Sequence, residues 1–322
     1  MIKPIAQGAA LAAAVWLLLR TSRLHWDTLV AVRLTVQWGW LAGGSILWLG
    51  SFVCLVRLWA ASLNWWQQRL DFRAALSMFV LTNLARYIPG TIWQFAGLAA
   101  FAVAERVSPV AAASAVLLQQ LVLLGTGVLL SLALAPAFLS PAAAALPPWA
   151  ALVIVVAGLV LLMSLFPVAL PALQRRLEAL LHRTLPMPQP PAAGFARYVV
   201  GSTLGWLGYG ASFWLFARAV LGAAAPGPVL AATAFIASYV AGIIAVFAPG
   251  GIVVRETALV AALGSHIGRE HAFLLAVSAR LWLVALEILV AAVVIAVSRL
   301  ARRSSQGGGP PADQGLRNTK TN

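Results

Sequence analysis

The side chains best suited to chemistry in this chain are a few charged residues set inside long apolar stretches. Arg255 and Glu256 follow the run Ala248-Pro249-Gly250-Gly251, Arg280 and Glu287 lie seven residues apart further on, and Arg86 opens the run Arg86-Tyr87-Ile88-Pro89-Gly90. A guanidinium offers a planar fork that grips a phosphate through two parallel hydrogen bonds, which a lysine ammonium does not match. Proline removes a backbone donor and glycine frees the backbone, so a helix that reaches either Pro-Gly stops there. The helix that restarts beyond each break presents unsatisfied N–H groups and a positive dipole end, which also favour an anion. Arg86, Tyr87, Trp93, Gln94, Arg255, Glu256, Arg280 and Glu287 are therefore the candidate ligands of an anionic headgroup, with Pro89, Gly90, Pro249, Gly250 and Gly251 as the helix breaks.

Each of these residues also has a plainer reading. Arg86 and Arg255 can cap a turn or snorkel to an interface. Glu256 can partner either arginine or meet an amine, but as the sequence neighbour of Arg255 it points elsewhere on a helix. Arg280 and Glu287 share a helical stripe about 10 Å apart, too far for a direct bond, so each needs a partner on another helix. Glu287 can carry a coupling proton or serve as a structural hydrogen-bond partner. Gln94, Gln119 and Gln120 can line the same cavity or tie helices together.

The elements that must position these groups are membrane helices. The 322 residues are 62% hydrophobic and 9% charged, with a mean hydropathy of +0.92, against the roughly 25% charged residues of a soluble domain. One cysteine, Cys54, excludes an internal disulfide and a cysteine-based zinc site. The net charge of +14 fits basic loops facing anionic lipid headgroups better than nucleic acid. Thirteen tryptophans suit interfacial belts. No phosphate loop, nucleophile elbow or metal-ligand spacing stands out, so neither cofactor nor metal is expected.

Apolar stretches near 4–19, 35–60, 110–135, 150–170, 198–220 and 272–298 approach the length of a membrane span. The first could also be a signal peptide, but no small-residue cleavage site follows it. The stretches near 74–104 and 229–264 hold the breaks, and split at proline their arms are too short to cross. They read as re-entrant helical hairpins, the alternative being pairs of tilted, shortened spans. Arginines at 175, 176, 183, 197, 299, 302 and 303 put the central loop and the C-terminus in the cytoplasm, although Arg20, Arg23 and Arg33 in the 20–33 joint fit this less well. The expected fold is thus an all-α polytopic membrane protein of about six full spans plus two re-entrant hairpins. One transmembrane domain covers 1–303, and a disordered cytoplasmic tail covers 304–322. The first unit, about 35–135, and the second, about 198–298, form an inverted repeat around a connector at 150–170. Broken helices at a repeat interface are the architecture of alternating access. Gly39 with Gly43, and Gly201 with Gly205, have the spacing of close helix packing.

The run Asn83-Leu84-Ala85-Arg86-Tyr87-Ile88-Pro89-Gly90-Thr91-Ile92-Trp93-Gln94-Phe95-Ala96-Gly97 resembles the transmembrane-region family of lysylphosphatidylglycerol synthases and related flippase-like proteins. Pro249-Gly250-Gly251-Ile252-Val253-Val254-Arg255-Glu256-Thr257-Ala258-Leu259 does so as well. The resemblance implies a multi-pass protein of the bacterial inner membrane that moves a phospholipid or lipid-linked anionic headgroup across it and is not an enzyme. The aminoacyltransferase domain of full-length synthases is not expected, since a Gly/Pro-rich polar stretch over 304–322 stands in its place. Many relatives have an arginine where this chain has Leu98, and a Glu-Arg pair where it has Gln119-Gln120, so the lipid recognised is expected to differ. The alternative is a membrane-embedded enzyme or a non-transporting partner subunit of envelope lipid synthesis. Membrane lipids are the other expected partners, and the sequence names no protein partner.

Overall fold

The computed structural model describes residues 36–84, 92–135, 148–181, 188, 190–245, 251 and 253–306. The helix and joint expected within 1–35 lie outside the described residues, as do Arg86, Tyr87, Pro89, Gly90, Pro249, Gly250 and the tail from 307. Among the described residues the chain is helical and has no strand. The helices are α1 (Trp38–Ser62), α2 (Phe72–Leu84), α3 (Ile92–Ala104), α4 (Pro109–Leu134), α5 (Pro148–Leu181), α6 (Ala192–Leu221), α7 (Pro228–Ile244), α8 (Val254–Ile267) and α9 (Arg269–Gln306).

The boundaries follow local chemistry. Ser108 caps α4 by accepting a hydrogen bond from Ala111 N at 3.4 Å, with Pro109 in the first helical position. Gly222 ends α6 at φ +56°, and Gly268 separates α8 from α9 at φ +83°, both in the region that favours glycine. Three helices outrun their expected spans, α6 by starting at Ala192 rather than near 198. α5 continues through Pro167 and Pro171 to Leu181, and Gln174 donates to Glu178 Oε1 at 2.7 Å within this extension. α9 runs from Arg269 to Gln306, three residues into the stretch expected to be disordered.

Segments Trp38–Trp66, Pro109–Leu134 and Arg269–Leu300 are long and apolar enough to cross a membrane. Large apolar side chains such as Ile46, Leu132, Leu204 and Leu281 stand exposed on them and on α6, as lipid contact requires. The protein is an all-α, multi-pass membrane protein. α6 is 30 residues long but less apolar, because protein surrounds much of it and it carries buried Ser202, Thr203 and Ser212.

α1 and α6 form the central pair. Leu58 meets Gly201, Leu55 meets Gly205, Ser51 meets Gly208, and Gly44 meets Ser212 and Leu215, so the two helices run antiparallel along their length. Gln37 N donates to Ala219 O at 3.0 Å at one end of this seam. The expected pairing of Gly201 with Gly205 sits in the crossing. Of the other pair, a side chain at Gly39 would meet nothing within 4 Å among the described residues and one at Gly43 would make only ordinary contact, while their neighbour Gly44 takes the close position.

α2 and α3 fold back on one another. Thr82 packs at Gly97, and Ser108 N donates to Gln68 Oε1 at 3.0 Å where the two arms begin and end. α8 folds back on α7 in the same way, with Gly242, Gly251 and Arg255 at the turn. These arms are 13, 13, 17 and 14 residues long, which corresponds to rises of about 20–25 Å. α4 packs on α7, where Gly127 admits Val240 and Trp206, and α9 packs on α2.

A side chain at Gly44 would meet backbone, with Ser212 O at 3.0 Å and Phe216 N at 3.4 Å from the added carbon. Gly44→Val is therefore expected to lower unfolding stability by about 1–3 kcal/mol, followed by circular dichroism in detergent. Gly39→Val, with nothing within 4 Å of the added carbon among the described residues, is expected to change it far less.

Candidate functional site

The second break is built around one arginine. α7 ends at Ile244 with Ala245 as its C-cap, and the chain re-enters helix α8 after Gly251 at φ +67° and Val253 at φ +73°. A β-branched residue at positive φ is strained by about 1–3 kcal/mol. Its carbonyl nevertheless takes the first bond of α8, from Thr257 N at 2.8 Å. Two residues on, the aliphatic stem of Arg255 lies against Gly242 and Gly251, where any side chain would collide with it. Its guanidinium carbon then stands 3.7 Å from the centroid of the Tyr239 ring, a close cation–π contact. Tyr239 is itself braced edge-on by Trp206 at 5.2 Å, and Trp206 is fixed by donating Nε1–H to Leu123 O at 2.9 Å.

Glu256 points away from Arg255, as neighbours on a helix must. Its Oε1 lies 3.7 Å from Arg280 Nε on α9 in a largely buried ion pair. Its other oxygen, Oε2, is buried and accepts no hydrogen bond from the described residues.

Arg255 and Arg280 both line a central cavity with about 80 Å³ of water-sized space, room for a few waters. Asn83 at the end of α2 reaches it from beside the first break, and Arg255 from beside the second. Arg280 and Glu287 reach it from α9, Gln119 and Gln120 from α4, and Tyr209 and Tyr239 from α6 and α7. Trp48, Phe52, Phe79, Trp206 and Phe235 complete an aromatic wall. Gln119 is buried and also donates to Leu55 O at 3.0 Å, so it lines the cavity and ties α4 to α1. Gln120 is exposed and stands at the mouth. A second space of about 20 Å³ lies behind the two arginines, lined by Ser238 and Glu256.

The structure thus brings Arg255, Arg280 and Glu287 together and sets Glu256 behind Arg280, outside the central cavity. Trp93 and Gln94 fall on the first turn of α3, where their side chains lie outside what is described. Leu98 is buried in the packing of α3 against its neighbours. Tyr239, Tyr209 and Asn83 are polar wall residues that spacing alone did not single out. The usable signal was Tyr239 with Gly242, an aromatic hydroxyl and a gap one turn apart on the arm that leads into the break. Among the described residues no group of three or more His, Cys, Asp or Glu is placed to hold a metal ion.

A multi-pass helical membrane protein with charged residues on a buried, aromatic-walled cavity is the class that fold and site define. Within it, this chain belongs to the family described as the lysylphosphatidylglycerol synthase TM region, whose model matches residues 5–301. No curated protein and no solved structure matches the chain.

Removing Arg280 would leave the Glu256 carboxylate buried without its counter-charge. Arg280→Gln is expected to cost about 3 kcal/mol of unfolding stability, and adding Glu256→Gln should recover part of it. A double-mutant cycle by thermal unfolding in detergent should give a coupling of about 1 kcal/mol or more.

Proposed function

We propose that the protein is a flippase-like transporter that moves a phospholipid or lipid-linked anionic headgroup across the inner membrane, with its C-terminus in the cytoplasm. One observation carries this reading. Residues beside both helix breaks, Asn83 and Arg255, line the same cavity, and Arg280 lines it as well. A phosphate entering there would exchange its water for charge-assisted hydrogen bonds from Arg255 and Arg280 while its acyl chains stay in lipid.

The short arms support reading α2–α3 and α7–α8 as re-entrant hairpins, since each rises less than the roughly 30 Å of a hydrocarbon core. The packing supports an inverted repeat. α1 and α6 are antiparallel counterparts, each hairpin follows one of them, and α4 and α9 each pack against the hairpin of the other half. Rocking of two such halves about the α1–α6 seam would expose the cavity to each side in turn. Membership in the family supports a place in envelope lipid chemistry. Gln119 and Gln120, where many relatives carry a Glu-Arg pair, both lie on the cavity wall. That placement supports a headgroup different from the one those relatives handle.

The test is lipid sidedness in liposomes holding the purified protein. Movement of fluorescent phosphatidylglycerol is expected to fall roughly tenfold or more in Arg255→Ala, the loss of one charged hydrogen-bonding group. An uncharged lipid should move slowly in both. Equal rates for wild type and variant would contradict the reading, as would no movement of any lipid by folded wild type.

A further inference from the structure

A second cationic site lies away from the central cavity, at the end of α1 and the start of α2. A groove of about 450 Å³ is lined there by Arg57, Asn64 and Arg69, with two alanines of α1, Leu70 and Phe72 as its apolar walls. Among the described residues no carboxylate lines it. Asp71, between Leu70 and Phe72 in the chain, accepts from the backbone N of Arg73 through Oδ2 at 3.0 Å and caps α2. The Arg57 guanidinium is held 4.8 Å from the Phe72 ring centroid, so one wall of the groove carries a positioned cation. The central cavity differs in that Glu287 lines it beside its two arginines.

The surface of α1 says what fits here. Ala42, Ile46, Gly50, Arg57, Ala61 and Asn64 form one exposed helical stripe. It is apolar up to Gly50 and turns cationic at Arg57, five residues before the helix ends at Ser62. On a helix long and apolar enough to cross a membrane, that change marks the level at which acyl chains give way to headgroups.

We infer that this groove holds an anionic phospholipid of the adjoining leaflet, its phosphate between Arg57 and Arg69 and one acyl chain along the apolar stripe of α1. Soluble phosphate would use the cations but gain nothing from the stripe. A zwitterionic lipid would bring its own cation against two arginines. The inference stands whether or not the central cavity conducts lipid.

The test is a titration of the purified full-length protein in detergent with phosphatidylglycerol or phosphatidylcholine, with bound lipid counted by native mass spectrometry. Arg57→Gln and Arg69→Gln are each expected to weaken the tightest phosphatidylglycerol roughly fivefold, with thermal unfolding unchanged because both side chains are exposed. Phosphatidylcholine should bind equally to all variants, and millimolar inorganic phosphate should not displace the lipid. Arg255→Ala should leave this lipid in place. Wild-type affinity in both groove variants would overturn the inference. Displacement by inorganic phosphate would reduce the groove to a simple ion site, and loss of the same lipid in Arg255→Ala would move it to the central cavity. Either result would also overturn it.

Discussion

A backbone that breaks inside an apolar fold must find partners for the groups it frees, because lipid supplies none. The described residues around the second break are unusual ones. Gly242 and Gly251 let the two arms approach until their backbones nearly touch. Val253 accepts a left-handed conformation so that its carbonyl can start α8. The closeness of the arms then decides where Arg255 goes. Its stem has a channel only between the two glycines, and the channel delivers the guanidinium onto Tyr239.

The charges of the core follow the same economy of placement. An arginine on a buried aromatic face is partly compensated by the ring quadrupole, and a second arginine is compensated by Glu256 at 3.7 Å. The pair, at 3.7 Å, is longer than a hydrogen bond and neutralises Arg280 as a charge rather than as a donor. Glycines along α1 and α6 complete the framework by letting two long helices run side by side under the cavity. Without a hydrophobic drive between helices in lipid, such close packing is what holds a membrane bundle together.

Much of this was legible from residue types. The all-α membrane class followed from hydropathy. The positions of α1 and α4 followed from the apolar stretches near 35–60 and 110–135, and that of α7 from the stretch near 229–264 that is split at proline. Arg255 and Arg280 stood out because a charge in an apolar stretch is conspicuous, and both line the cavity. What spacing did not reveal was depth and direction. Glu256 is one position from Arg255, yet the helix turns it behind Arg280 rather than into the cavity. Tyr239 carries no charge and sits in an ordinary apolar helix, so only tertiary packing makes it the platform for Arg255. Gly44 rather than Gly43 enters the seam because register between helices is set by their crossing and not by either sequence alone. Arg57 is set apart from the other arginines only by the exposed stripe of α1 on which it stands.

The central claim is that the flanks of both breaks face one water-accessible cavity between two halves of the protein. It is tested most directly by single cysteines placed at Asn83 and at Tyr239, in a Cys54→Ser background, in reconstituted vesicles. Modification by a charged, membrane-impermeant thiol reagent would be followed from each side in turn. The account predicts that both positions react, each from either side, and that anionic phospholipid slows both together. If the two positions react independently of one another, or neither reacts with a charged reagent, the flanks of the breaks do not share an aqueous site and the account is wrong.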